Sequence, residues 1–274
     1  MRKIIFFLFM ISVLIVNSQT LQQLKSKQGQ LPNGWSLSPV GRSLPLGDLP
    51  LNLVVSPSKK LIAVTNNGQS VQSIQLINAA TEKILDNVLI QKSWYGLKFS
   101  ADEKYLYASG GNDNWILQYA ILNNKLRLTD SIKLGDKWPN KISPAGIEID
   151  DAKKIMYVVT KENNSLYIID LKTKSVIKSL SLNAEAYACL LSPDKKKLYI
   201  SVWGADKVMV FKTEQQIMSG SIRVGDNPNE MCLTKDGKYL FVANANDNSV
   251  SVIDIKTQKV IETLNAALYP ASPS

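Results

Sequence analysis

The sequence predicts an all-β chain, a β-propeller of four-stranded antiparallel blades, on three observations. First, one unit recurs five times between Ser56 and Asp254: an apolar strand, a Ser-Pro-Asp-Lys-like turn, a second strand, a polar loop and a third strand. Second, the turn residues Ser56, Ser100, Asp150, Ser192 and Thr234 are spaced by 44, 50, 42 and 42 positions, the size of a propeller blade. Third, no amphipathic helix of useful length interrupts the strands.

The elements follow in order from each turn. Second strands are predicted at Leu61–Asn66, Leu106–Ser109, Ile155–Thr160, Leu198–Ser201 and Leu240–Asn244, short runs rich in β-branched and aromatic residues. Third strands are predicted at Ile74–Asn78, Ile116–Tyr119, Leu166–Asp170, Val208–Phe211 and Val250–Asp254. A fourth strand reads most clearly at Ser131–Asp136 and Ser221–Asp226, each leading to a proline before the next blade, and at Lys259–Leu264. A lone blade leaves its faces uncovered, so such units stack radially around an axis and leave only short sheet edges.

Runs such as Leu240-Phe241-Val242-Ala243-Asn244 followed by Val250-Ser251-Val252-Ile253-Asp254 resemble the YVTN-repeat (YncE-like) propeller family. The resemblance covers residues 43 to 264, with Gly110-Gly111 and Lys161-Glu162 standing where the family's Asn is common. It implies a closed seven-bladed ring in a secreted or surface protein. The stretch Leu31-Pro32-Asn33-Gly34-Trp35-Ser36 and onward to Arg42 looks like the opening of two-part exported proteins whose propeller precedes an alkaline-phosphatase-like domain. The metal-binding and nucleophile motifs of that domain have no counterpart in these residues, so a phosphoesterase activity would belong to a longer parent chain with a C-terminal catalytic domain.

The expected organisation is a signal peptide at 1–18, a leader at 19–42, propeller blades at 43–264, and at 265–274 the start of the loop to a missing blade. Met1-Arg2-Lys3, the apolar run Ile4 to Val16 and the small residues before Gln19 are the three parts of a secretory signal. That run is too short to span a bilayer comfortably and no second apolar stretch follows, so no membrane span is expected. The expected location is periplasmic or extracellular. Residues 43–48, Ser-Leu-Pro-Leu-Gly-Asp, read like the fourth strands at Ser131 and Ser221 and are expected to be an outer strand with no inner strands before it. The expectation is about five blades present of seven; the alternative is a five-bladed ring in which that segment is an extra strand or a plug.

The formal charge of +9 becomes +7 without Arg2 and Lys3. Turns between first and second strands hold ten lysines against six acids, +4 of that excess, and solvated turn lysines explain it. In an up-and-down blade those turns and the second-to-third loops lie on opposite sides. Lysines and loop aromatics are thereby segregated, which argues against single-stranded nucleic acid, whose binders need both in one groove. Cys189 and Cys232 fall at adjacent, not equivalent, blade positions and should point to opposite sheet faces, so two buried free thiols are expected rather than a disulfide.

The chain contains no histidine. This removes Ser-His-Asp and Cys-His catalysis and histidine-held zinc or haem, and no convergent pair of carboxylates replaces them. No cofactor and no catalytic or metal-ligating residue is expected. The clusters Asn112-Asp113-Asn114 and Asn246-Asp247-Asn248 carry oxygen ligands of the kind calcium takes, but their residue types are also those that tight turns prefer, and the turn is the expectation.

The side carrying second-to-third loops and the lead-ins to first strands gathers aromatics and amides: Asn66, Trp94, Tyr95, Asn112, Trp138, Asn163, Tyr187, Trp203, Asn229, Asn244 and Asn246. Rigid rings supply contact area and amides supply directional hydrogen bonds. The set is read as a binding face for a carbohydrate, peptide or protein, against the alternative that rings such as Trp94 and Trp138 pack between blades. The function expected is that of an exported, non-catalytic binding or scaffolding module, with the propeller of a larger phosphoesterase and a nucleic-acid binder as alternatives.

Overall fold

Five four-stranded antiparallel sheets, each in simple sequence order, make up the second of two units in the computed structural model. The structure describes residues 29–30, 36–37, 42–137 and 139–266. The expected signal peptide, most of the leader, Trp138 and residues 267–274 lie outside the described residues. In the first unit, residues 1–45, Gly29–Gln30 (β1) pairs antiparallel with Ser36–Leu37 (β2).

Blade 1 comprises Pro50–Val55 (β3), Leu61–Asn66 (β4), Ser73–Asn78 (β5) and Lys83–Leu89 (β6). Blade 2 comprises Leu97–Phe99 (β7), Tyr105–Ser109 (β8), Trp115–Leu122 (β9) and Lys125–Lys133 (β10). Blade 3 runs through Pro144–Asp150 (β11), Ile155–Thr160 (β12), Ser165–Asp170 (β13) and Ser175–Ser181 (β14). Cys189–Leu191 (β15), Lys197–Val202 (β16), Lys207–Lys212 (β17) and Ile217–Arg223 (β18) form blade 4, and Pro228–Leu233 (β19), Tyr239–Asn244 (β20), Ser249–Asp254 (β21) and Lys259–Asn265 (β22) form blade 5. The five predicted second strands and five predicted third strands all fall on strands.

The repeated turn has a chemical cause. Ser192 Oγ donates to Asp194 Oδ1 at 2.6 Å and accepts the Lys197 N–H at 3.0 Å, and Ser100 and Thr234 make the same pair of bonds with Asp102 and Tyr105 and with Asp236 and Tyr239. The position after each acid lies in the left-handed region, at Glu103, Lys195 and Gly237. A hydroxyl, an acid two positions on and one left-handed residue therefore close each hairpin.

Apolar clusters fill the spaces between consecutive blades. Leu76 and Leu106 lie in the first, Ile116 and Met156 in the next, Leu166 and Phe211 in the third, and Val208 and Leu240 in the last. Polar stitches cross the same seams: Asn52 Nδ2 donates to Tyr95 O at 2.6 Å, Ser109 Oγ to Pro144 O at 2.6 Å, the Gly146 N–H to Tyr187 O at 2.9 Å and Ser201 Oγ to Asn229 O at 2.7 Å. Blades approach so closely there that a Cβ on Gly146 would sit 2.7 Å from Ala188 Cα.

Three expectations are corrected. The outer strands of blades 2 and 4 are Lys125–Lys133 and Ile217–Arg223, so Gly135-Asp136 and Gly225-Asp226 lie beyond them and lead into the next blade. For the same reason residues 43–48 are not an outer strand. Residues 42–46 have no regular structure, Pro45 has no N–H to give a ladder, and Gly47-Asp48-Leu49 is the lead-in to β3, matching Gly225-Asp226-Asn227 before β19. Cys189 and Cys232 are free thiols as expected, but only Cys189 is buried; Cys232 is exposed because alternation turns it away from the cluster that Met231 joins.

Candidate functional site

Inner strands from all five blades line an axial cavity of about 140 Å3. Lys98 Nζ stands 2.8 Å from Oε1 and 2.9 Å from Oε2 of Glu148 within it, a stitch between blades 2 and 3. Glu230 also lines it, and the surrounding strands, by displacing water, push its carboxyl above the ordinary range. Tyr95 is buried in the wall and its ring lies 4.4 Å from that of Tyr187 at 48°. These two predicted site residues pack against each other as part of the core, and burial raises the Tyr187 phenol.

A second space opens on the predicted loop side. It is a cleft of about 310 Å3 between the loops of blades 1, 2 and 3, lined by Gln72, Lys92, Ser93, Trp94, Asn112, Ser143 and Lys161 with Gly111 and Glu162. Backbone bonds set its walls: the Lys161 N–H donates to Ser143 O at 3.0 Å and the Glu162 N–H to Ile142 O at 3.2 Å. Gln72 Oε1 accepts the Ser93 N–H at 2.8 Å, and Asn67 Nδ2 holds Ser93 Oγ at 2.5 Å. Gly111 has φ +52, and a Cβ there would lie 3.2 Å from Ser93 O, so glycine suits both the turn and the close approach.

The Asn112-Asp113-Asn114 cluster builds this cleft by turn chemistry. Asn114, left-handed at φ 59, donates Nδ2 to Asp136 O at 2.6 Å and Asn140 O at 2.7 Å, and its Oδ1 accepts the N–H groups of Ile142 and Ser143. Asp113 Oδ1 anchors Lys92 Nζ at 3.0 Å, and Asn112 Oδ1 accepts Ser143 Oγ at 2.8 Å. Asn246-Asp247-Asn248 acts likewise: Asn246 bonds to Asn227, and Asp247 Oδ2 accepts the Asp226 N–H at 2.7 Å. Among the described residues no group of three His, Cys, Asp or Glu could hold a metal.

Trp94 is half-buried, with partial packing against the clusters between blades 3 and 4 and between blades 4 and 5. Lys161 Nζ lies 5.1 Å from its ring centroid and 3.6 Å from Glu185 Oε1. The ammonium is thus held over the π face of the indole, an attraction of about 0.5–1 kcal/mol at such exposed sites. The cleft combines an aromatic ring, two lysine ammoniums, amides and hydroxyls, a set suited to holding a polar ligand.

Of the predicted set, Trp94 and Asn112 come together here. Asn66 and Asn244 are buried instead, where Asn66 Nδ2 bonds Ser73 and Gln75 and Asn244 Nδ2 bonds Ser249 and Ser251. Asn163 turns its amide to Thr160 and to Tyr167 OH. Trp203, Asn229 and Asn246 belong to blades 4 and 5 and do not line the cleft, while Trp138 lies outside the described residues. Sequence reasoning missed Gln72, Lys92, Ser143 and Lys161, although each sits on the side predicted to carry the site.

Comparison with known proteins gives modest likenesses. Prolyl endopeptidases of Elizabethkingia meningoseptica and Elizabethkingia miricola are each 24% identical, over 150 and 163 residues, or 50% and 54% of this chain. The matched stretch spans only 21% and 23% of their own lengths. A functionally unknown protein from Desulfotomaculum acetoxidans DSM 771 has a similar structure, with a TM-score of 0.67 at 17% identity covering 86% of this chain and 76% of that one. Kuenenia stuttgartiensis hydrazine synthase gives a TM-score of 0.60 at 21% identity, covering 80% of this chain and 65% of that one. These two show a shared fold. Residues 30–273 match the family model described as YncE-like beta-propeller.

Proposed function

The chain belongs to the YncE-like β-propeller family, and we propose that it acts as an exported, non-catalytic binding module whose ligand sits in the loop-side cleft at Trp94. One observation carries the reading: Lys92 and Trp94 from the lead-in to blade 2, Asn112 from blade 2 and Lys161 from blade 3 converge on one polar cleft of about 310 Å3. Structural bonds orient two of them, Lys92 on Asp113 and Asn112 on Ser143, so little order remains to be created there when a ligand arrives, while Lys161 pairs only loosely with Glu185. With no histidine in the chain, the cleft's groups recognise and hold more readily than they transform.

The test is an array of glycans and peptides probed with the wild type and with Trp94→Ala. The reading expects a ligand retained by the wild type and lost by the variant, with thermal melts showing that the variant, though less stable, is folded at the assay temperature. Equal retention by both proteins would refute it.

A second reading, that the chain is the propeller section of a larger hydrolase, is favoured by its likeness to a fifth or so of the prolyl endopeptidases named above. A hydrolysis assay on the chain alone would then be silent, and activity would appear only with a parent polypeptide.

A further inference from the structure

We propose that the ligand is an acidic oligosaccharide, a chain of uronate-type sugars, running from the Trp94 cleft across Gln72 into a second cleft beside it; this rests on the binding reading above. The second cleft has a volume of about 550 Å3 and lies between loop 67–72 and segment 89–91. It shares Gln72 with the first, and Gln91 of one adjoins Lys92 of the other. The two spaces therefore form one path long enough for several ring units rather than a single small molecule.

The lining selects the class. Gln69, Gln72 and Gln91 carry side-chain amides along the second cleft, Asn67 closes its floor through its bond to Ser93, and Ser70 adds a hydroxyl. The amides of Gln69 and Gln91 offer both a donor and an acceptor, and that of Gln72, whose oxygen accepts the Ser93 N–H, offers donors, a mixture that matches the neighbouring hydroxyls of a sugar ring. In the second cleft Val71 and Leu89 are 67% and 71% exposed, so its apolar side chains form a rim rather than a deep pocket of the kind that anchors a peptide side chain. In the first cleft the indole of Trp94 supplies the apolar surface on which the C–H face of a pyranose packs.

The lysines select the charge. Lys161 leaves Glu185 at 3.6 Å, a loose and half-exposed pair whose replacement costs little. A sugar carboxylate that draws this ammonium away from the indole gains a charge-assisted bond and frees the ring for stacking. Lys92, half-exposed and held at 3.0 Å by buried Asp113, has N–H donors left for the next unit along the chain, while Glu162 in the same lining sets one negative charge against the two ammoniums.

Titration calorimetry with trigalacturonate, and with cellotriose as its neutral counterpart, tests this. Trigalacturonate is expected to bind, to weaken at least about tenfold when salt rises from about 20 mM to about 500 mM, and to lose about tenfold in Lys161→Met and in Lys92→Met. Gln72→Ala and Gln91→Ala should weaken the trisaccharide more than monomeric galacturonate, since only the longer ligand reaches the second cleft. Circular dichroism melts of each variant separate lost binding from lost folding. Cellotriose binding as tightly as trigalacturonate would overturn the acidic assignment. If neither saccharide binds while array peptides do, and Trp94→Ala abolishes that, the saccharide proposal fails and the binding reading survives. If nothing depends on Trp94, both fail.

Discussion

Lys161 of blade 3 stands over the indole of Trp94, which leads into blade 2, at 5.1 Å from the ring centroid. The contact adds to the side-chain bonds that join blades 2 and 3 on the loop side, such as Ser143 Oγ to Asn112 Oδ1. Removing the charge in Lys161→Met should cost less than about 1 kcal/mol of stability and shift the tryptophan emission, because the field over the ring changes. Urea unfolding and emission spectra check both; a large loss of stability with unchanged emission would mean the pair is a structural strut.

The hairpin turns make stability depend on acid. The hydroxyls of Ser100, Ser192 and Thr234 hydrogen-bond the carboxylates of Asp102, Asp194 and Asp236 and hold all three below the usual range, Asp236 at about 2. Because the folded values are depressed, this contribution is fully present above the unfolded value near pH 4 and fades as pH falls through the folded values toward about 2. Melting temperatures between pH 5 and pH 2 should fall, and fall less steeply in a Ser100→Ala, Ser192→Ala, Thr234→Val variant that starts lower. Equal slopes would show that other carboxylates govern acid unfolding.

Two glycine substitutions should differ sharply. A Cβ at Gly96 would lie 2.2 Å from the Ala145 carbonyl oxygen of the neighbouring blade, and backbone cannot yield cheaply, so Gly96→Ala should cost more than about 2 kcal/mol. At Gly220, on the outer strand of blade 4, the nearest atom is Gln258 Oε1 at 3.9 Å. Gly220→Ala should be neutral or slightly stabilising by reducing the freedom of the unfolded chain. Denaturant midpoints decide, and equal effects would contradict the close blade contact.

Leu49 precedes Pro50 with φ 49 and is 61% exposed, and Asn227 fills the matching place before Pro228 with φ 52. Leucine is strained in this region, while asparagine tolerates it. Leu49→Asn should therefore stabilise by about 0.5–1 kcal/mol, read as a higher denaturant midpoint. A lower midpoint would place Leu49 in a contact that matters more than its backbone.

The blades were legible because their signals are local. The hydroxyl at Ser192 and the acid at Asp194 form their turn from neighbouring residues, and second and third strands such as Ile155–Thr160 are buried on both faces and read as unbroken apolar runs. The outer strand at Lys259–Leu264 was legible, but those of blades 2 and 4 were misplaced because they are mostly exposed and bulged. Leu128 and Asp130 flank a register shift, so alternation fades where β10 begins and the Gly-Asp lead-in looked like strand instead.

The site was legible in part. Trp94 and Asn112 were visible as an aromatic and an amide on the side that carries the cleft. Asn66 and Asn244 were not separable by sequence from loop amides, because their partners Ser73, Gln75, Ser249 and Ser251 lie across a strand pair. Lys92 and Lys161 escaped notice since ten lysines cluster in the opposite turns, and only the packed blades bring these two to one cleft.

The most direct test is a hydrogen–deuterium exchange footprint of the chain with the tightest ligand from the glycan and peptide array. The account predicts slowed exchange in segments 91–95, 111–114, 142–144 and 161–163, and unchanged exchange in the turns 57–60, 193–197 and 235–238. Protection confined to those turns, with the Trp94 cleft unaltered, would contradict it.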